Sequence, residues 1–184
     1  MVLFIDHYDS FTNTIVDYIT YLGHKVLVVK TDGDVPNLGS FSHVVIGPGP
    51  GHPNELKKQY QVIKYCEQNN TPLLGICLGH QLIAQYYGSK IINAKQVYHG
   101  KNSVINQQNQ SPLYFNHPEN FEVTRYHSLI VDEIKKPLIT TAITENNEIM
   151  AFQHESLKIF GVQYHPEAYL TEYGLSTLGN FFKL

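Results

Sequence analysis

Short apolar runs, each too brief for a helix and each closed by a polar or glycine-bearing loop, punctuate the chain at residues 2–5, 25–29, 43–46, 72–76 and 159–164. Runs of this length, rich in β-branched residues, read as strands. Between the earlier ones lie segments with helical spacing. Residues 11–22 form the first, with Ser10 or Asp9 to cap it and Gly23 to stop it; residues 55–68 and 78–87 form the next two. Strands alternating with helices predict an α/β fold with an open, mostly parallel central sheet and helices on both faces. From Ser89 onward the pattern changes. Residues 103–106, 121–125, 138–144 and 149–153 read as short β pieces that form a small mixed β extension. Residues 173–182 read as a closing helix that turns Leu175, Leu178 and Phe182 inward.

With 184 residues, no internal repeat and no linker, a single domain over residues 1–184 is expected. Hydrophobic residues at 42% and charged residues at 16% suit a globular chain rather than a disordered one. A formal charge of −3 and no run of lysines or arginines leave no electrostatic footprint for nucleic acid or for an anionic membrane surface. The start, Met1-Val2-Leu3-Phe4-Ile5-Asp6, lacks a basic leader and meets an acid after a short apolar run, so neither a signal peptide nor a membrane span is expected. The two cysteines form no CxxC pair. That argues against a disulfide framework or a zinc site and points to the reducing cytoplasm.

Cys77 stands out by position. In Leu73-Leu74-Gly75-Ile76-Cys77-Leu78-Gly79-His80-Gln81 it occupies a strand-to-helix junction between two glycines. A tight turn there lifts the side chain above the sheet, in the manner of a G-x-S-x-G elbow with a thiol in place of the hydroxyl. The positive end of the following helix favours a thiolate, and the Leu78 N–H can donate to an oxyanion. The ordinary role of a free cysteine is that of a small buried hydrophobe, and Cys66, mid-helix with none of these features, is left with it.

A thiol nucleophile needs an imidazole to carry its proton and a third group to orient the imidazole. His165 and Glu167, in Gly161-Val162-Gln163-Tyr164-His165-Pro166-Glu167, fit both roles at the end of an expected core strand, with Pro166 stiffening the turn. Most of the ten histidines should have structural roles. His80 and His127 are the reserve bases. No HExxH-like spacing suggests a metal. Gly47-Pro48-Gly49-Pro50-Gly51 follows a strand and can aim bare N–H groups at negative charge. It lacks both P-loop and dinucleotide spacing, so by itself it is no more than a rigid turn. Beside the Cys77 elbow it becomes a second oxyanion donor.

These motifs together resemble class I glutamine amidotransferases, whose flavodoxin-like sheet would match the fold read above. Tyr8-Asp9-Ser10-Phe11-Thr12, His99-Gly100-Lys101 and Arg125-Tyr126-His127-Ser128-Leu129 are further similar to the glutaminase components of anthranilate synthase and aminodeoxychorismate synthase. The resemblance implies that Cys77 attacks the side-chain amide of L-glutamine, that His165 shuttles the proton and that Glu167 orients it. It implies an oxyanion hole from the N–H groups of Gly49 and Leu78, and a substrate site completed by Pro50, Gly51, Gln81, Ser128 and Leu129. Ammonia would pass to a chorismate-binding synthase subunit, most simply the anthranilate synthase component I type in tryptophan biosynthesis, or alternatively aminodeoxychorismate synthase in folate biosynthesis. No cofactor is expected in this chain; magnesium is expected in the partner. A purely regulatory glutaminase-like module and a stand-alone cysteine hydrolase are the other classes, and the intact Cys77, His165 and Glu167 set and the 125–129 segment argue against them. Two positions depart from the family: Ala168 where serine usually follows His-Pro-Glu, and Tyr98 where methionine often precedes His-Gly. The first is expected to remove a hydrogen bond near Glu167.

Overall fold

The computed structural model describes residues 1–184. Val2–Asp6 (β1), Thr12–Tyr21 (α1), Val26–Lys30 (β2), His43–Ile46 (β3), Tyr60–Asn69 (α2), Leu73–Ile76 (β4) and Leu78–Tyr86 (α3) form the alternating half. Ile91–Asn93 (β5), Lys101–Gln107 (β6), Asn120–Arg125 (β7), Leu129–Val131 (β8), Leu138–Thr144 (β9), Ile149–His154 (β10), Ile159–Val162 (β11) and Gly174–Phe181 (α4) follow. The main sheet has nine strands in the order β2-β1-β3-β4-β11-β10-β9-β6-β7. The first five are mutually parallel. The last four continue it antiparallel. A separate pair, β5 with β8, is antiparallel.

Successive strand residues face opposite sides of a sheet, so a continuous apolar run requires cover on both. In β1, Val2 and Phe4 join one apolar cluster with Ile15 and Ile19 of α1 and Leu178 and Phe181 of α4. Leu3 and Ile5 join the other, with Val62 and Ile63 of α2 and Leu82 and Ile83 of α3. Two helices therefore cover each face, as the run length demands. Because the strand order turns back at β1 and β3, their following loops diverge and open a crevice at the carboxyl ends of the parallel strands, where ligands of such sheets gather. The segments containing Asp6 to Ser10, Gly47 to Gly51, Cys77 and His165 all follow the carboxyl ends of parallel strands.

Several local expectations change. Residues 55–68 are not one helix: Pro53–Gln59 is a 3₁₀ segment with non-helical geometry at Leu56 (φ −107°, ψ 17°), and α2 begins at Tyr60. Its polar side chains are drawn toward the segment after β2, where Gln59 donates to the Thr31 carbonyl at 2.8 Å and Lys58 to the Gly33 carbonyl at 2.9 Å. Ser10 does not cap α1. The Asp9 carboxylate instead accepts from the Phe11 N–H at 2.8 Å, while Asp6 accepts from the Thr12 hydroxyl at 2.8 Å. In α4 the fully buried apolar residues are Leu178 and Phe181, Phe182 is nearly so, and Leu175 is only half-buried.

The join of β4 to α3 is compressed to a degree that only glycine permits. A Cβ on Gly79 would lie 2.1 Å from the Ile46 carbonyl oxygen, and one on Gly75 would lie 2.4 Å from the Gly79 oxygen. Backbone on both sides cannot yield cheaply. Gly79→Ala should therefore lower unfolding free energy by about 3 kcal/mol, a steep cost for one methyl group, read as a lower urea midpoint with an unchanged m-value.

Candidate active site

Cys77 leaves β4 with φ 52° and ψ −100°, outside the regions open to L-residues. Such a backbone costs on the order of 1–3 kcal/mol and persists only where its surroundings impose it. Its N–H donates to the Val162 carbonyl on β11 at 2.8 Å, and its own carbonyl accepts from the Gln81 N–H at 3.1 Å. Ile76 and Val162 are register partners. One residue later Cys77 rises from its strand, and three residues later His165 leaves the neighbouring one, which closes a separation of 88 positions (165 − 77).

His165 Nδ1 lies 2.5 Å from Glu167 Oε1, and both side chains are buried. The ring is packed edge-on by Phe11 at 5.4 Å and Tyr126 at 5.1 Å between centroids. Its carbonyl accepts from the Thr171 hydroxyl at 2.7 Å, and its N–H donates to the Thr124 carbonyl at 3.0 Å. Burial alone would lower its pKa. The Cys77 thiol and the Glu167 carboxylate beside it outweigh burial and raise the pKa well above the ordinary value. The pair is therefore arranged to hold an imidazolium against a carboxylate, with Nε2 buried and bonded to no other group.

A cavity of about 140 Å³ opens at Cys77, lined by Gly49, Pro50, Gly51, Leu78, Gln81, Tyr126, His127, Ser128 and Leu129. All seven residues assigned to substrate from the sequence thus line one cavity with the nucleophile. Leu78 is the first residue of α3, so its N–H has no intrahelical acceptor. A larger cavity, about 490 Å³, lies elsewhere on the β extension, lined in part by Tyr98, Lys101 and Arg125, and contains no cysteine. A thiol, a buried imidazole paired to a carboxylate, and free N–H groups around a small cavity can perform acyl transfer from a small amide.

The family description "Glutamine amidotransferase class-I" matches residues 3–184. Among curated relatives, "Anthranilate synthase component 2" of Saccharolobus solfataricus is 43% identical over 98% of this chain and 97% of its own length. "Aminodeoxychorismate synthase component 2" of Klebsiella aerogenes is 42% identical over 98% of each. Of the solved structures, a glutamine amidotransferase of Thermotoga maritima superposes with a TM-score of 0.85 at 18% identity, over 99% of this chain and 96% of the other, a likeness of fold alone.

The chain belongs to the class I glutamine amidotransferases.

Within this amidotransferase the two reserve histidines have other tasks. His80 is wholly buried on α3, its ring 4.6 Å from that of Phe152, and burial pushes its pKa down to about 3. It is a neutral core side chain, which one helical turn from Cys77 could not reveal. His127 lines the cavity, but Arg125 Nε donates to its Nε2 at 3.1 Å, which leaves Nδ1–H to donate to the Leu129 carbonyl at 2.9 Å. Burial and the neighbouring guanidinium push its pKa down to about 3. Neither can serve as the base. Cys66, its pKa pushed up to about 12 by burial, is an inert core thiol.

Sequence reasoning missed the scaffold behind this wall. Arg125, 1% exposed, pairs with Glu148, stacks its guanidinium 3.4 Å from the Tyr98 ring centroid and donates to the Ser103 hydroxyl at 3.1 Å. The Tyr98 hydroxyl completes the cluster by donating to Glu148 Oε2 at 3.0 Å. Tyr98 thus supplies a bond that a methionine could not make. Glu167 Oε2 is buried without a partner. Tyr126 carries no chemical signal of its own in the sequence, yet it packs on His165 and lines the cavity. Gln81, assigned to substrate, has its amide N–H groups directed to Leu129 and Gln163, so its remaining offer to a ligand is the Oε1 acceptor. No helix is long and apolar enough to cross a membrane, and no cluster of three or more His, Cys, Asp or Glu is placed to hold a metal ion.

The depressed histidines set a pH dependence. His7, lowered to about 4 by burial, behaves like His80 and His127 at about 3. Each is neutral when folded and binds a proton below about 6.5 when unfolded, so the unfolded state gains protons first and stability falls as pH drops. His165, shifted upward, is protonated in both states over that range and does not offset the loss. Calorimetry should show the melting temperature declining steadily from about pH 6.5 to about pH 4. Substituting His80 by a neutral residue that still permits folding should shallow that decline.

Proposed function

We propose that this chain is the glutaminase component of an anthranilate synthase, in which Cys77, His165 and Glu167 release ammonia from L-glutamine for a chorismate-binding partner subunit. The observation that carries this reading is the single small cavity in which Cys77 meets all seven candidate substrate residues, with the His165–Glu167 pair packed behind the thiol. The Cys77 thiolate attacks the amide carbon, and the developing oxyanion accepts from the Gly49 and Leu78 N–H groups. His165 gives its proton to the leaving nitrogen, ammonia departs, and a glutamyl thioester remains. Water then loses a proton to His165 and attacks the thioester. Glutamate leaves, and the sulfur returns as thiolate beside the imidazolium. Glu167 keeps the ring in one orientation throughout. No step calls on a metal or cofactor in this chain; magnesium belongs, on this reading, to the partner, and the setting is the cytoplasm, where Cys66 and Cys77 stay reduced.

Support for the partner comes from relatives of nearly equal length. Those of Saccharolobus solfataricus and Pyropia yezoensis are named anthranilate synthase component 2, at 43% and 41% identity. The 42% identity to the aminodeoxychorismate synthase component of Klebsiella aerogenes favours a second reading, in which the same glutaminase serves folate synthesis. An apolar rim beside the site also suits a partner. Tyr169 is 96% exposed and Leu170 55%, just past the His-Pro-Glu turn and the buried Ala168, and large apolar side chains are left exposed in this way where another protein covers them.

Mixed with an anthranilate synthase component I, glutamine and chorismate, the wild-type chain should yield fluorescent anthranilate. Cys77→Ser should lower the glutamine-dependent product by about a thousandfold or more while leaving ammonia-dependent synthesis by the partner intact. Glutamate release without anthranilate, but with product from an aminodeoxychorismate partner, would establish the second reading. No glutamate with either partner would refute both.

A second expectation concerns the rim. Tyr169→Glu should leave the melting temperature within about 2 °C of wild type, as surface changes do, and weaken association with the synthase subunit by about tenfold or more in titration calorimetry.

A further inference from the structure

Gln163 is completely buried one residue past β11 and has no part in the mechanism above. Its Nε2 lies 3.7 Å from Cys77 Sγ, and its Oε1 accepts from Gln81 Nε2 at 3.0 Å. Gln81 Nε2 also donates to the Leu129 carbonyl at 3.0 Å. We propose that Gln163 is a hydrogen-bond donor to the nucleophile, which stabilises Cys77 as the thiolate and whose direction is set by the Leu129 carbonyl. The proposal rests on the glutaminase reading only for its consequence in turnover.

The direction follows from what each group can do. A backbone carbonyl only accepts, so Gln81 must present its NH₂ to Leu129. The same NH₂ reaches Gln163, which must therefore answer with its oxygen. That choice turns the Gln163 NH₂ toward the sulfur. His127 Nδ1 also donates to the Leu129 carbonyl, at 2.9 Å, and fixes the origin of the chain from a second side. The far end is equally constrained. The Cys77 N–H is bonded to Val162, and the Gln163 N–H to the Met150 carbonyl at 2.8 Å, so sulfur and donor are tied to adjacent residues of one strand end. A thiol is a weak acceptor, whereas an anionic sulfur makes a charge-assisted bond. The contact thus gains strength as the thiolate forms, which a mere spacer between sheet and helix would not do.

The test is the pH profile of Cys77 alkylation by iodoacetamide, read by mass spectrometry on the full chain with neither glutamine nor partner. In Gln163→Leu the midpoint should rise by about one pH unit, and the rate at neutral pH should fall about tenfold, the strength expected of a bond to a charged group. In the reconstituted complex, kcat should fall about tenfold with KM changed less than about twofold, because Gln81 stays bonded to Leu129. Gln163→Glu should slow alkylation at least as much, since a carboxylate would then face the sulfur. A folded Gln163→Leu variant with the wild-type midpoint overturns the proposal. Should that variant not fold, the wild-type chain with nitrogen-15 in its glutamine side chains decides. The Gln163 amide resonance must move when Cys77 titrates or is alkylated, and a fixed resonance overturns the proposal. A wild-type chain that is alkylated as expected but hydrolyses no glutamine would count against the glutaminase reading alone.

Discussion

The parallel pairing of β4 with β11 is the constraint on which the site depends. Ile76 beside Val162 and the Cys77 N–H on the Val162 carbonyl place two strand ends in fixed register. From one rises the thiol, and from the other come Gln163, His165 and Glu167. The pairing also supports the strained Cys77 backbone, because a residue at φ 52° and ψ −100° keeps that geometry only while both flanks are held. On one flank the sheet bond does this. On the other, the glycine contacts among Gly75, Gly79 and Ile46 clamp α3 against β3. Parallel register across a separation of 88 residues (165 − 77) is a long-range feature, so the chemistry cannot exist in a partly folded chain.

Much of this was legible in the sequence because its signals are local. The apolar runs announced strands, buried on both faces in β1, β3, β4 and β11, although the edge strand β2 is left partly exposed. The change of pattern after Ser89 announced a small mixed β extension, which the structure makes antiparallel. The glycine-flanked Cys77 and the His-Pro-Glu turn named the reacting groups before any fold was known. What stayed hidden is what tertiary contacts decide. The strands β5 and β8 have three residues each and no readable period, and they exist because they pair with one another. The segment before α2 has helical spacing yet opens as a 3₁₀ turn, since Gln59 and Lys58 reach across to carbonyls that sequence spacing cannot locate.

Histidine illustrates the same boundary within the site. The sequence offered three histidines near the site and put His165 first by its place in the His-Pro-Glu turn, with His80 and His127 in reserve, and their surroundings explain that order. Burial made His80 a neutral core ring, and Arg125 occupied the free nitrogen of His127. Only His165 was left with a carboxylate on one nitrogen and the thiol near the other. Environment, not identity, assigned the role.

The buried cluster of Arg125, Glu148 and Tyr98 is best understood the same way. A buried ion pair is weak grounds for stability, because the cost of removing two charges from water can equal their attraction. An apolar replacement of the same volume could fold as well. What it could not do is donate an N–H to His127 Nε2 and so force Nδ1–H onto the Leu129 carbonyl. Leu129 belongs to the small second sheet and Cys77 to the large one, so no strand pairing aligns the cavity's two walls with each other. Directional polar bonds do that instead, from Arg125 through His127 on one side and from Gln81 on the other. A carbonyl held by two donors presents one fixed orientation to whatever binds beside it, and that geometry accounts for a guanidinium retained at 1% exposure.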